Sequence, residues 1–81
     1  MVDKEFRKIL CNRIIALRKK YKLKQEQLAL QSGIAKGGLS EIERCKKTPS
    51  TYTIAKICSG LGITIDEFFA FDEIRNYMDK L

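Results

Sequence analysis

The sequence predicts an all-α fold, and three observations lead to it. Apolar residues in the first twenty-one positions recur at spacings of four, four, three and four, which places them on one face of a helix. These residues are Phe6, Leu10, Ile14, Leu17 and Tyr21. A glycine-bearing break then separates two short amphipathic segments, and further helix start and stop signals follow along the chain. We therefore expect five helices.

The first helix is predicted from about Lys4 to Tyr21, the second from near Gln25 and the third from near Lys36. Two short helices joined by a three- or four-residue turn must cross steeply, which describes a helix-turn-helix. Gly33 suits that turn because glycine tolerates a positive φ. The spacing alone fits an ordinary helical hairpin that binds nothing equally well.

Start and stop signals predict the fourth helix. Pro49 prevents the third helix from continuing, and Ser50 offers a side-chain cap for a helix that runs to Leu61. Gly60 and Gly62 mark its end.

Thr64 and Glu67 have the spacing of a capping box and predict a short fifth helix. Apolar residues after position 71 leave a sixth helix open. The 81 residues are expected to form one domain, with a core over about 6–70 and a C-terminal extension over 71–81.

Composition limits the class of protein. The chain is 44% hydrophobic and 32% charged, which is typical of a globular protein. It has no apolar run of membrane-spanning length and no signal peptide, so we expect a cytoplasmic protein without a membrane partner. It lacks histidine, a phosphate-binding loop and a nucleophile–base pair, so no enzyme, metal, cofactor or small-molecule ligand is expected. The cysteines, which we expect to be free thiols, are Cys11, Cys45 and Cys58.

Basic charge is concentrated in the half of the chain that contains the helix-turn-helix. Residues 1–47 carry 13 Lys and Arg against 5 Asp and Glu, whereas residues 48–81 carry 3 against 5. A polyanion would be attracted to the basic half, because each neutralised phosphate releases counterions. A solvated lysine-rich face is the alternative, and the coincidence with the helix-turn-helix favours the polyanion.

Three segments carry a resemblance to a known family. They read RIIALRKKYKLKQEQLA, SGIAKGGLSEIERCKKTPS and TIAKICSGLGITIDEFF, and they span about residues 10–69. The chain resembles the phage-repressor and Cro type of helix-turn-helix, also called the xenobiotic-response-element (XRE) family. This implies a five-helix, lambda-repressor-like domain that binds double-stranded DNA. It also implies a transcriptional regulator, expected to be a repressor, that acts as a homodimer on a palindromic operator.

The resemblance and the chemistry of the side chains together predict site residues. Base-facing positions on the third helix, at about 36–44, are Lys36, Gly37, Ser40 and Glu41. Phosphate contacts are expected from Lys24, Gln25, Lys46 and Lys47. A structural ion pair between the first and third helices is expected from Arg18 and Glu43.

Three departures from the family pattern have physical consequences. Lys24 and Ala35 replace the usual capping Ser or Thr, which costs about 1 kcal/mol each. Gly37 and Gly38 weaken the first turn of the third helix, so we expect its start to be loosely ordered without DNA. Cys45 stands where the family usually has glycine in a left-handed conformation.

The aromatic C-terminal segment is the expected partner surface. A homodimer contact is predicted for Phe69, Phe71, Ile74, Tyr77 and Met78. Completion of the chain's own core is the alternative for these residues. An antitoxin or accessory protein that uses the same fold to bind another protein is the alternative function.

Overall fold

The computed structural model describes residues 3–81, and its described part consists of helices and connecting turns. The elements are α1 (Lys4–Lys20), α2 (Gln25–Ser32), α3 (Lys36–Glu43), α4 (Thr51–Leu61), α5 (Ile65–Phe68) and α6 (Asp72–Asp79). The all-α prediction is confirmed, and the C-terminal extension does form a sixth helix. The first helix ends one residue earlier than predicted, because Tyr21 is its C-cap.

The core is built from one face of each of the first five helices. Helix α1 contributes Leu10, Ile14 and Leu17, as its apolar spacing predicts. Phe68 of α5 is fully buried and closes the end of this core. The remaining buried members are Leu28, Ala29, Leu39, Ile42, Ile54, Ile57, Cys58 and Leu61. Isolated helices as short as α2 and α3 are only marginally stable in water. Their packing against α1 and α4 in this core therefore stabilises them.

The turn between α2 and α3 depends on Gly33. Its φ of 67° lies in the left-handed region, which glycine adopts without a steric penalty. Ile34 then donates a backbone hydrogen bond to the Ala29 carbonyl at 3.0 Å, and this bond completes the helix C-cap. Three residues connect the two helices, and α3 begins at Lys36.

A left-handed residue also ends α3. Cys45 has a φ of 59°, so a non-glycine residue occupies the conformation that the sequence comparison with the family led us to expect. The backbone N–H of Lys46 donates to the Glu41 carbonyl at 3.0 Å. Pro49 is buried after this turn, and the Ser50 hydroxyl caps α4 by accepting a bond from the Thr53 N–H at 3.1 Å.

Helix α4 packs on α2 through a close contact at Gly60. A Cβ atom at this position would lie 2.9 Å from the backbone nitrogen of Ser32 and 3.0 Å from the carbonyl carbon of Gln31. It would lie closer still to the Ser32 hydroxyl oxygen. Glycine is needed here to let two helix backbones approach, in addition to any part it has in ending the helix.

Helix α6 packs against α1, which joins the two ends of the described chain. The side chains of Ile74 and Tyr77 are only 6% and 9% exposed. The Tyr77 ring lies 5.4 Å from the Phe6 ring, and its hydroxyl donates to the Asp3 carboxylate at 2.6 Å. This hydrogen bond holds the pKa of Asp3 below its ordinary value of 3.8 and raises that of Tyr77 above 10.0.

The prediction of three free thiols is wrong for two of the cysteines. Cys11 of α1 and Cys45 form a disulfide, with Cα atoms 5.9 Å apart. The fold brings the end of α3 beside α1, so residues 34 positions apart come within disulfide range. Cys58 is a free, buried thiol in the core, as expected, and burial raises its pKa above the ordinary value of 9.0.

None of the helices in residues 3–81 combines the length and the apolar character needed to cross a lipid bilayer.

Candidate nucleic-acid interface

Three helices meet at one buried carboxylate behind the helix-turn-helix. The Arg18 guanidinium of α1 donates from Nε and Nη2 to the two oxygens of Glu43, each at 2.9 Å. The Gln25 amide of α2 donates to the same carboxylate at 3.2 Å. Arg18 also donates to the Leu23 carbonyl at 3.0 Å. Since a bidentate arginine–carboxylate pair fixes both partners in one geometry, this network sets the positions of α2 and α3 relative to α1.

The outer face of α3 is open to solvent. Leu39 and Ile42 on the inner face are buried in the core. Lys36, Gly37 and Glu41 are exposed, and Ser40 is partly exposed. The four residues predicted to face bases thus share an uncovered surface of a short helix.

Lys36 is not a free cation. Its ammonium lies 2.7 Å from a carboxylate oxygen of Glu26 on α2, and both side chains are mostly exposed. The hydrogen bond and the charge of Lys36 hold the pKa of Glu26 below its ordinary value of 4.5. Any anion or base that binds Lys36 must compete with this carboxylate. Sequence spacing did not predict this pair, although Glu26 and Lys36 each occupy the first turn of a motif helix.

The residues predicted to contact phosphate lie next to the ends of the motif helices. Lys24 precedes α2 and is exposed, while Lys46 and Lys47 follow α3 and are also exposed. Gln25 begins α2 but is partly buried, because its amide is engaged with Glu43. The first turn of α2 still presents backbone N–H groups, which can donate to a phosphate oxygen.

The caps of the two motif helices differ from each other. The Lys24 side chain does not cap α2, but the Gln27 side chain accepts a hydrogen bond from the Lys24 N–H at 2.7 Å and compensates in part. Ala35 supplies no cap for α3. A Cβ added at Gly37 or Gly38 would meet nothing within 4 Å. The start of α3 therefore has neither a side-chain cap nor a packing contact at these glycines.

The residues predicted as a dimer surface divide into two groups. Ile74 and Tyr77 are buried within the single chain, where they attach α6 to α1. Phe69 and Phe71 are partly exposed, and Met78 is 59% exposed. Arg13 of α1 places its guanidinium 4.6 Å from the centre of the Phe71 ring. A second chain would find Phe69, Phe71 and Met78 accessible, but not the other two.

Comparison with known proteins identifies the family. A helix-turn-helix family model, HTH_3, matches residues 14–68, which include α2, α3, α4 and α5. The chain belongs to the HTH_3 family. This is a family of DNA-binding transcriptional regulators, of the type to which the sequence motifs pointed.

This HTH_3 chain is similar in sequence to a phage repressor and to a control protein. One is the immunity repressor protein of Bacillus phage phi105, which is 40% identical over 53 residues. That match covers 65% of this chain and 37% of the repressor. The other is the control protein C.MunI of a Mycoplasma species, which is 40% identical over 60 residues. It covers 73% of this chain and 81% of the control protein.

Solved structures have the same architecture. An HTH_3 family transcriptional regulator from Vibrio cholerae superposes with a TM-score of 0.83 at 34% identity, over 91% of this chain and 42% of that one. The restriction-modification controller protein C.AhdI from Aeromonas hydrophila superposes with a TM-score of 0.72 at 30% identity. The superposition covers 78% of this chain and 96% of C.AhdI. A hypothetical transcription factor from Neisseria superposes with a TM-score of 0.75 at 23% identity, over 96% of this chain and 91% of that one. At this identity the likeness supports the fold alone. This chain therefore spans less than half of the phage repressor and of the Vibrio protein.

Proposed function

We propose that this HTH_3 chain binds double-stranded DNA in a sequence-specific manner and regulates transcription as a repressor. The observation that carries the proposal is the exposed face of α3, with exposed lysines beside the ends of the motif. Lys36 reaches for guanine O6 and N7 in the major groove, and Glu41 accepts from a cytosine amino group. Ser40 contacts either a base or the backbone. The names of the phage repressor and the control proteins support the regulatory function.

Lysines on either side of the reading helix hold the two phosphate backbones. Lys24 and the N-terminus of α2 bind one phosphate, and Lys46 and Lys47 bind another after α3. Gln25 assists through its backbone N–H, since its side-chain amide is occupied by Glu43. These contacts set the orientation of the protein, and the few side chains on α3 supply sequence choice. Because Gly37 carries no side chain, the shape of the DNA contributes more of the specificity than usual.

The active form is a homodimer on a palindromic operator. Two-fold pairing of two chains would place their α3 helices about one turn of DNA apart. Phe69, Phe71 and Met78 are the residues accessible for this contact. Replacing Met78 by aspartate is expected to shift sedimentation equilibrium toward the monomer. Asn76→Asp adds the same charge on a different face of α6 and should leave the equilibrium unchanged.

Selection of bound duplexes from a random pool tests the main proposal. We expect an enriched half-site repeated with two-fold symmetry. Replacing Lys36, Lys46 and Lys47 together by alanine should reduce the affinity for the selected duplex about 10-fold or more. It should also flatten the slope of log K against log salt by about 0.9 for each lost phosphate contact.

A matched control removes three positive charges elsewhere in the same chain. The variant with Lys4, Lys56 and Lys80 replaced by alanine has the same net charge as the first variant but keeps the motif and the proposed dimer residues intact. It should bind with nearly the affinity of the unmodified chain. Equal losses in both triple variants would contradict the proposal, because they would indicate attraction by net charge alone.

An antitoxin or accessory protein is the second candidate function. The exposed apolar residues Met78 and Leu81 at the end of α6 favour it, because they offer a surface to a partner protein. Salt separates the two functions. Affinity for DNA that falls steeply with salt supports the regulator, whereas absence of DNA binding together with salt-insensitive binding of a protein partner supports the second candidate.

A further inference from the structure

The disulfide joins the scaffold of the domain to the turn that follows the reading helix. Cys11 is fully buried on α1, and Cys45 is partly exposed immediately after α3. The next two residues, Lys46 and Lys47, are those assigned above to a phosphate. The disulfide-bonded Cys45 therefore directly precedes the two lysines proposed to contact phosphate.

Apart from this bond, the segment after α3 is joined to α1 at Thr48, whose hydroxyl accepts a hydrogen bond from the Arg7 side chain at 3.0 Å. That contact lies on the far side of the two lysines from Cys45. Cys45 occupies a left-handed conformation that is unfavourable for a non-glycine residue. Backbone bonds at 3.0 Å connect Cys45 to Ile42 and Lys46 to Glu41, and both lie within the same end of α3. The Arg18–Glu43 pair holds the body of α3 and stops two residues short of the turn. The disulfide is the covalent connection between α1 and the Cys45 side of the turn, so Lys46 and Lys47 lie between this bond and the Arg7–Thr48 contact.

We infer that Cys11 and Cys45 form a reversible redox modification site that adjusts the affinity of this chain for DNA. The inference rests on the DNA-binding function proposed above and adds a means of regulating it. Oxidation of the pair fixes the turn in the conformation that presents the two lysines, and reduction releases it.

The chemistry requires a hydroperoxide as oxidant and a dithiol as reductant. Cys45 is the more exposed residue of the pair, so its thiolate attacks the peroxide, becomes a sulfenic acid and releases an alcohol or water. The Cys11 thiol then attacks this sulfur, so that the disulfide forms and water leaves. A dithiol reverses the change by thiol–disulfide exchange, restoring both thiols while its own sulfurs become a disulfide. Two electrons are transferred in each direction.

The oxidised form is expected to bind DNA more tightly because its turn is already ordered. In the reduced form, the side chains of Lys46 and Lys47 and the backbone of the turn must be ordered when DNA binds. Ordering of this kind lowers affinity, and we expect a dissociation constant about 3- to 10-fold higher for the reduced chain. Both forms make the same phosphate contacts once bound, so the slope of affinity against salt should be equal.

The test compares oxidised and reduced protein on the duplex obtained by selection. The chain is treated with hydrogen peroxide or with dithiothreitol, and mass spectrometry after thiol alkylation identifies the bonded cysteines. Fluorescence anisotropy then gives the dissociation constant of each form at several salt concentrations. Cys45→Gly removes the bond and suits the positive φ, so it should fold, bind DNA and show no response to peroxide. Cys58→Ala keeps the pair and should respond as the unmodified chain does.

Each outcome bears on a definite statement. Equal affinity of the oxidised and reduced forms, or failure of peroxide to join Cys11 to Cys45, would overturn the redox inference and leave DNA binding intact. Redox dependence that persists in Cys45→Gly would overturn it as well. If no form and no variant binds any duplex, the proposed function fails and the inference fails with it.

Discussion

Gly38 and Gly60 are predicted to respond in opposite directions to the same substitution. Both lie inside helices, and each gains up to about 1 kcal/mol of helix propensity when alanine replaces glycine. Their surroundings differ. A Cβ at Gly38 meets nothing within 4 Å, whereas a Cβ at Gly60 meets two backbone atoms of α2 at 2.9 and 3.0 Å. The pair therefore isolates the effect of packing from that of helix propensity.

Gly38→Ala should stabilise the chain by about 0.5–1 kcal/mol, because it reduces the entropy of the unfolded state and strains nothing in the folded one. For Gly60→Ala, overpacking costs about 1–3 kcal/mol. The upper value applies because the opposing atoms belong to a helix backbone that cannot rotate away. After about 1 kcal/mol of propensity is subtracted, we expect a net loss of about 2 kcal/mol.

Urea unfolding followed by circular dichroism measures both effects, with every variant in the same redox state. The midpoint should rise for Gly38→Ala and fall for Gly60→Ala, with unchanged slope. In melting temperature, 1 kcal/mol corresponds to about 4–8 °C for a domain of this size. Hydrogen exchange should also show α3 amides less protected than those of α4 in the unmodified chain without DNA, and better protected in Gly38→Ala. A midpoint that falls for Gly38→Ala would refute the reasoning about open space at the start of α3.

Three further predictions concern single contacts. Glu43→Ala leaves the mostly buried Arg18 without its partner. It should lower the free energy of unfolding, measured by urea titration, by about 3 kcal/mol. A loss below about 1 kcal/mol would show that the ion pair is not needed for stability. Ser32→Ala removes a buried hydroxyl that has no hydrogen-bond partner within the described residues, and should raise the same free energy by about 1 kcal/mol rather than lower it. The lowered pKa of Asp3 means that its bond to Tyr77 stabilises α6 above pH 3.8 and is lost as pH falls through the lowered value. The raised pKa of Tyr77 means that the bond is kept below pH 10.0 and lost as pH rises through the raised value. The free energy of unfolding in urea should therefore fall at both extremes, and it should fall by less in Tyr77→Phe, which lacks the hydroxyl.

Local signals in the sequence predicted most of the helix boundaries. Ser50 and Thr64 cap helices through the side-chain bonds that their spacing to the next turn predicts. Gly33 has the positive φ that a tight turn requires, and Cys45 has one despite its side chain. These features depend on four or five neighbouring residues, so a sequence can reveal them without knowledge of the tertiary structure.

Contacts between distant residues were not predicted in the same way. The Cys11–Cys45 bond joins positions 34 residues apart, and an odd cysteine count without a C-x-x-C motif gave no indication of it. Tyr77 bonds to Asp3 across 74 residues. Burial of Tyr77 by its own chain also removes it from the surface on which the dimer contact was expected. Such pairings follow from the packing of α1 against α3 and α6, which periodicity alone does not specify.

The exposed residues of α3 contribute almost nothing to the stability of the domain. Leu39 and Ile42 bury the inner face of α3, and Glu43 fixes its angle. Glu41 is exposed, and Lys36 takes part only in an exposed ion pair with Glu26, which adds little stability. Mutations can therefore exchange the outward residues at little thermodynamic cost while the inward ones remain unchanged. If α3 reads DNA as proposed, a few substitutions on this exposed surface would change the preferred DNA sequence while the domain stays folded throughout.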